Sequence, residues 1–115
     1  MKFNTIYEIK DWQGNANELK ITPIYDDETN KEIQIILPKD KIMKEHSANG
    51  VIVVQVLKGE IDFSVESKVI NLKELMSIKL ASGVKHSLLA KQDSIIRLSL
   101  AKNDSFARVK NVEII

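Results

Sequence analysis

Two histidines are the residues of this chain whose types and spacing are best suited to chemistry. They are His46, in KEHSANG, and His86, in ASGVKHSLLA, and the sequence contains no other histidine. An imidazole can ligate a divalent metal ion, transfer protons near neutral pH or accept a hydrogen bond from a bound molecule. The sequence therefore offers two imidazole ligands for a metal ion, or two polar groups for holding a small molecule.

The residues near His46 add few donor atoms. Residues two apart on a strand face the same side, so Lys44 and Ala48 are expected to share the inward side of His46, with Glu45 outward. Ala48 supplies no donor atom, and a buried Ile52 contributes about 1.5 to 3 kcal/mol of apolar transfer energy instead of a metal bond. An inward Lys44 could bind an anionic substrate or form a Schiff base, and the alternative is a solvated lysine at a strand end.

Composition excludes several classes of function. The chain has no cysteine, which removes disulfides, thiolate metal sites and cysteine nucleophiles. Its 17 basic and 16 acidic residues leave a formal charge of +1, spread along the chain, which favours neither nucleic acid nor an anionic membrane as a partner. No apolar run approaches the roughly 18 residues of a membrane span. We therefore expect a cytoplasmic protein whose partner is a small organic molecule.

Short segments rich in isoleucine and valine predict an all-β domain. They cover residues 32–37, 51–57, 61–65, 77–80 and 94–100, separated by turn residues about every eight to twelve positions, a rhythm typical of a sandwich or barrel. Gly59 is expected to close a hairpin between the second and third segments, and Gly83 to turn the chain into a strand bearing His86. Residues 71–75 are either a capped helical turn or a strand followed by a turn.

The faces of these strands predict how they pack. In residues 61–65 the apolar side chains of Ile61, Phe63 and Val65 alternate with polar ones, so one face belongs to the core. Residues 51–57 are apolar on both faces, and their second face must be covered by a terminal segment or another subunit. We expect a homodimer, with residues 1–20 packing on a single barrel domain of residues 21–115. Arg97 lies opposite the apolar face of its strand, on a face that is either the cavity or the surface.

The spacing around the two histidines resembles the two sequence motifs of the cupin superfamily. The first motif of that family reads His-x-His, three or four residues, Glu, six residues and Gly, and here those positions hold His46, Ala48, Ile52 and Gly59. The second reads Pro-x-Gly-x2-His-x3-Asn, and here those positions hold Ala81, Gly83, His86 and Ala90. The wider resemblance, to a group of small single-domain cupins of largely unassigned function, covers about residues 21–101.

The resemblance implies a fold and a place for the site. The fold is a cupin-like jelly-roll barrel, also described as a double-stranded β-helix. Its cavity is expected to be lined near the mouth by His46, Ala48, Ile52 and His86, and further in by Val54, Val56 and Leu88. Of the four metal ligands that the family's motifs provide, the two histidines are present in this chain.

Three functions are compatible with that site. The first is a binding or sensing module that captures a small organic molecule in an apolar cavity without metal chemistry. The second is a divergent metal-dependent enzyme of the oxygenase or isomerase type, in which His46 and His86 hold one divalent ion such as Fe, Mn, Ni or Zn. The third is a structural role in which the cavity is filled by the protein's own side chains. The sequence assures no cofactor and leaves open whether the protein is an enzyme.

Overall fold

Nine strands in two antiparallel sheets make up the fold in the computed structural model, which describes residues 5–15 and 17–102. The strands are β1 Lys20–Asp26, β2 Asn30–Leu37, β3 Ile42–His46, β4 Ile52–Lys58, β5 Glu60–Val65, β6 Lys68–Lys73, β7 Ser77–Leu80, β8 His86–Ala90 and β9 Ser94–Ala101. One sheet has the order β1-β2-β9-β4-β7 and the other β3-β8-β5-β6. The predicted all-β class is confirmed, and the described residues contain no helix that could cross a membrane.

The five segments rich in isoleucine and valine are all strands, because each places apolar side chains between the sheets. Residues 71–75 follow the second alternative: β6 ends at Lys73, and Leu75 then adopts a turn conformation with a φ of 71°. The isoleucine and valine pattern did not mark β1, β3 or β6, although a strand was assumed around His46 and a strand was one of the two alternatives for residues 71–75. Their exposed positions are numerous, and Pro23 interrupts β1, so none of the three shows a continuous apolar run.

The hydrophobic core lies between the two sheets. Ile61 and Phe63 are fully buried and Val65 is 8% exposed, which confirms the alternation predicted for β5. From the five-stranded sheet, the core receives alternate residues of β2, β4 and β9, including Ile35, Val54 and Leu98. Burial of each such side chain contributes about 1.5 to 3 kcal/mol, so the sandwich is held mainly by this shared layer.

Gly59 lies at a crossing between the sheets, and the predicted hairpin is wrong. β4 pairs with β7 and β9, whereas β5 pairs with β6 and β8, so the chain leaves one sheet for the other at this residue. Gly59 has a φ of +93°, and a Cβ atom there would come within 2.5 Å of the Asp93 carbonyl oxygen. The glycine is needed both for its conformation and for the close approach of the next chain segment.

The described N-terminal segment packs on the outer face of the five-stranded sheet. The Gln34 side chain accepts a hydrogen bond from Lys10 N at 3.1 Å and donates one to Lys10 O at 2.6 Å. The rings of Tyr7 and Tyr25 are 4.8 Å apart. Residues 1–4 and 103–115 lie outside the described residues, so the division of the chain into 1–20 and 21–115 stays a prediction.

The second face of β4 is partly exposed in the single chain. Val53, Gln55 and Leu57 lie on that face and are each intermediate in exposure. A second subunit would cover them further, which is the reason we expected a homodimer. The homodimer stays a prediction.

Candidate functional site

The two histidines meet where β3 ends and β8 begins. His46 is the last residue of β3 and His86 the first of β8, and antiparallel pairing places them directly opposite each other. Their ring centroids are 4.3 Å apart, and the rings are inclined by 64°. The fold thus joins residues that are far apart in the sequence into one pair of imidazoles.

A β-bulge in β3 sets which side chains accompany His46. Met43 pairs with Leu88 and His46 with His86, so three steps along β3 correspond to two along β8. The extra residue breaks the alternation of side chains, and Lys44 is exposed together with Glu45. The prediction that Lys44 faces inward with His46 is therefore wrong, because it assumed a regular strand.

Backbone carbonyl groups orient both rings. His46 Nδ1 lies 2.6 Å from the Lys44 carbonyl oxygen, and His86 Nδ1 lies 3.0 Å from the Val84 carbonyl oxygen. A carbonyl oxygen only accepts hydrogen bonds, so each Nδ1 carries the hydrogen and donates it. In the neutral form of either ring, Nε2 then presents a lone pair as an acceptor or a metal ligand.

His46 Nε2 is buried and has no hydrogen-bond partner within residues 5–15 and 17–102. Among the residues that the structure describes, it is the only buried side-chain nitrogen or oxygen in this situation. An unsatisfied buried polar atom costs about 1 to 3 kcal/mol, and such atoms are rare in native proteins. A group outside the described chain, such as the donor of a bound molecule or an ion, would recover this cost.

His86 is the more deeply placed of the pair. It is 1% exposed, and its ring stacks on Phe63 with the centroids 5.3 Å apart and an interplanar angle of 12°. Burial lowers the pKa of His86 below its ordinary value, and the His46 imidazole lowers it further, against the opposing effect of the Val84 carbonyl. His86 is therefore a neutral side chain at pH 7.

The other residues of the predicted cavity wall lie in the packed core. Ala48 is 5% exposed, and Ile52, Val54 and Leu88 are each 2% exposed. They pack with one another and with the fully buried Val56 as one hydrophobic cluster. These side chains offer a ligand very little accessible surface.

The donor atoms near the histidines do not complete the family's metal site. Ala48 and Ile52 occupy the positions of the second His and the Glu in the cupin motif, and their side chains hold no nitrogen or oxygen. Within residues 5–15 and 17–102, no group of three or more His, Cys, Asp or Glu side chains is placed to hold a metal ion. A resident metal of the usual three- or four-ligand type does not fit the described residues.

An accessible groove lies beside His46, and sequence reasoning missed it. The groove has a volume of about 440 Å³ and is lined by Leu19, Ile21, Ile42, Met43, Lys44, Glu45 and His46. It runs between β1 and β3, each of which is the edge strand of its own sheet, so the sandwich is open along this side. Leu19, Ile21 and Ile42 are 37%, 42% and 60% exposed, and this apolar patch at two strand edges could not be recognised before the strands were placed.

A second polar cluster lies on the opposite side of the five-stranded sheet. Glu32 is 3% exposed, and its Oε1 accepts hydrogen bonds from Arg97 Nε at 2.8 Å and from Ser99 Oγ at 2.6 Å. The face of β9 that carries Arg97 is thus the outer face of the sheet. This cluster is a satisfied ion pair and takes no part in the histidine site.

Known proteins resemble this chain in structure. No protein-family model and no curated protein matches the sequence. Among solved structures, an RmlC-like cupin protein from Desulfovibrio desulfuricans has a TM-score of 0.77 at 16% identity, with 87% of this chain and 97% of that chain covered. A cupin superfamily protein from Desulfitobacterium hafniense has a TM-score of 0.76 at 11% identity, over 80% of this chain and 84% of that chain.

A third structure carries the name of the fold itself. An RmlC-like cupin family protein with a double-stranded β-helix fold, from Methanocaldococcus jannaschii, has a TM-score of 0.70 at 22% identity, over 87% of this chain and 92% of that chain. The two facing sheets, the paired histidines and these likenesses agree. The chain has the double-stranded β-helix fold of a small cupin.

Proposed function

We propose that this chain binds a small organic molecule in the groove beside His46. Ligand sites in proteins are concave, mostly apolar and equipped with a few polar groups that orient the ligand. The groove volume of about 440 Å³ lies in the usual range, and its wall is formed largely by Leu19, Ile21, Ile42 and Met43. The single observation that carries the proposal is that Nε2 of His46, a residue of the groove wall, is buried and has no hydrogen-bond partner among the described residues.

The physical reason is the cost of leaving that atom unsatisfied. A core position that serves packing alone would be occupied at lower cost by an apolar side chain of similar shape. A ligand that hydrogen-bonds to Nε2 recovers the cost and at the same time removes exposed apolar surface of the groove from water. The binding of a small molecule therefore accounts for both unusual features of this side of the barrel.

The test is a methyl-resolved NMR titration of the protein with a library of neutral fragments. Binding in the groove is expected to shift the methyl signals of Ile21 and Ile42, while those of buried residues such as Ile96 stay in place. Ile42→Glu, at a position 60% exposed, is expected to abolish the shifts without unfolding the protein. Val69→Glu is the matched control, since Val69 is 67% exposed on β6 at the opposite edge of the same sheet.

Two results would contradict this proposal. The first is a titration in which no fragment shifts the groove methyl signals. The second is binding that survives Ile42→Glu and is lost in Val69→Glu, which would place the ligand elsewhere.

The second candidate function is weak binding of one divalent ion by His46 and His86. The observation in its favour is that each Nδ1 donates to a backbone carbonyl, the arrangement that commonly fixes metal-binding histidines. The two rings supply two of the ligands, and water or an organic molecule would have to supply the rest. An activity of the oxygenase or isomerase type depends on such an ion and stays the alternative.

Metal analysis separates the two candidates. Tag-free protein is incubated separately with Mn(II), Fe(II), Ni(II) and Zn(II), desalted and analysed by mass spectrometry beside the His46→Ala, His86→Ala double variant. Near-stoichiometric metal that the double variant loses would favour the metal candidate. Equal trace amounts in both proteins would leave organic-ligand binding as the function to pursue.

A further inference from the structure

The charges around the groove indicate what kind of molecule it takes. Lys44 and Glu45 are adjacent in the sequence, carry opposite charges and both line the groove, so the groove has no net charge apart from His46. A charged ligand would lose hydration against the apolar wall, and each rim charge already has an opposite charge beside it. The lining therefore favours an uncharged occupant.

The hydrogen bonds of the histidines indicate which polar group that molecule carries. His46 Nδ1 donates to the Lys44 carbonyl, so in the neutral ring Nε2 has only a lone pair. A ligand that satisfies Nε2 must then bring the hydrogen itself. Ether and carbonyl oxygens bring none, whereas hydroxyl and amide N–H groups do.

We infer that the site selects a neutral molecule with an apolar body and a hydroxyl or amide N–H group that donates a hydrogen bond to His46 Nε2. This inference rests on the proposed binding function and adds the chemical class of the ligand. The apolar body occupies the part of the groove between Ile21 and Ile42. The polar group points toward the end of β3, where His46 follows the bulge.

Met43 is a buried, flexible side chain in the same groove wall as His46. It is 3% exposed, lines the groove and precedes His46 on the inward side of the bulged strand. His46 Nε2 is buried, so a donor reaches it only after a neighbouring side chain moves. An unbranched methionine changes rotamer at low cost, which makes it suited to this movement.

The test compares three probes that share one apolar ring and differ in the head group: cyclohexanol, cyclohexyl methyl ether and cyclohexanecarboxylate. Affinities are measured from the methyl shifts of Ile21 and Ile42. Cyclohexanol is expected to bind about three- to tenfold more tightly than the ether, the value of one neutral hydrogen bond. The carboxylate is expected to bind more weakly than either neutral probe.

Two variants test whether a preference for the alcohol over the ether depends on His46. His46→Phe keeps a ring and removes the acceptor, so the ratio of alcohol to ether affinity is expected to fall to about one while ether binding persists. Val69→Glu, at an exposed position on the opposite edge of the same sheet, is the control and is expected to keep the wild-type ratio. A ratio of about one in the wild type, or tightest binding of the carboxylate, would overturn the inference.

Failure of the proposed binding function can be distinguished from failure of the inferred ligand class. If none of the probes binds, the ligand class and this groove as a binding site are both overturned. If alcohol and ether bind equally, the groove binds small molecules and only the class of ligand is overturned. Imidazole ¹⁵N spectra of the ligand-free protein near pH 8 give a test without any probe, since a hydrogen on His46 Nε2 would contradict the inference directly.

Discussion

Glu32 and His46 lie on opposite sides of the five-stranded sheet, and they differ in how their buried polar atoms are hydrogen-bonded. Glu32 is 3% exposed, and Oε1 of its carboxylate receives hydrogen bonds from Arg97 and Ser99. His46 has one ring nitrogen bonded to a carbonyl oxygen, and the other is buried without a partner among the described residues. The Glu32 carboxylate and His46 Nε2 are both withdrawn from water, yet in this part of the chain only the carboxylate has hydrogen-bond partners.

This difference in hydrogen bonding indicates a structural role for Glu32 and a functional role for His46. A fold that pairs the Glu32 carboxylate with Arg97 and Ser99 is stabilised by it, and nothing about that cluster requires a ligand. A fold that leaves His46 Nε2 unsatisfied accepts a cost of about 1 to 3 kcal/mol, which suggests that the atom is kept for another purpose. Substitutions in the two clusters should therefore have opposite consequences for stability and binding.

The largest effect on the free energy of unfolding is expected for Glu32→Ala. The substitution removes two hydrogen bonds to a charged acceptor and leaves Arg97 without its buried counter-charge, so the free energy of unfolding should fall by about 2 to 4 kcal/mol. Urea denaturation measures the change, with Ser99→Ala as a milder control. A loss below about 1 kcal/mol would show that the cluster is not the structural element we describe, and fragment binding in the groove should be unaffected.

An intermediate effect on stability is expected when the pH is lowered. Burial lowers the pKa of His86 from 6.5, so the unfolded chain binds a proton before the folded chain does, and stability should be lost as the pH falls below about 6.5. His86→Phe keeps a ring against Phe63 and should flatten this dependence when the melting temperature is followed from about pH 7.5 to about pH 5 in metal-free buffer.

The lowered pKa of Asp27 affects stability in a different pH range. The pKa of Asp27 is lowered from 3.8 because backbone N–H groups of Asn30 and Thr29 donate to its side chain. That stabilisation is present above 3.8 and is lost only at lower pH. An equal pH dependence of the wild type and His86→Phe would rule out His86 as the titrating group.

A smaller effect is expected for His46→Phe. The variant loses the hydrogen bond from Nδ1 to Lys44 O and also the unsatisfied Nε2, and these contributions oppose each other. Differential scanning calorimetry should show a change in unfolding free energy within about 1 kcal/mol of zero, of either sign. A loss above about 2 kcal/mol would mean that His46 serves stability in the same way as Glu32.

The smallest effect is expected for Lys44→Ala. Lys44 is exposed at the bulge, so its removal should change the free energy of unfolding by less than about 0.5 kcal/mol. Chemical denaturation followed by tryptophan fluorescence is sufficient to measure this. A larger loss would indicate that the lysine stem packs on the groove wall.

Much of the fold was predictable from the sequence because it depends on local patterns. Ile61, Phe63 and Val65 alternate with polar residues, and this alone assigns one face of β5 to the core. The barrel itself was implied by the resemblance of the two histidine motifs, with Gly59 and Gly83 in place, to those of the cupin superfamily. The crossing at Gly59 was mistaken for a hairpin because a glycine with positive φ is compatible with either, and only the pairing of distant strands distinguishes them.

The site was predicted less completely than the fold, because it depends on a β-bulge and on contacts between distant strands. The inward side of Lys44 was inferred from strict alternation, and one extra residue in β3 reversed the outcome. The groove depends on Leu19, Ile21 and Ile42 meeting at two sheet edges, and no local pattern marks such a meeting.

The sequence by itself determined which chemical groups this protein has: two imidazoles, no thiol, and apolar side chains at two of the family's ligand positions. It also determined the strand periodicity, because alternation along a strand is a property of neighbouring residues. Only the tertiary structure decided that His46 Nε2 is buried with no partner in the described part of the chain, and that an apolar groove opens beside His46. Those features arise from contacts between strands that are distant in the sequence, where a single bulge changes which atoms meet.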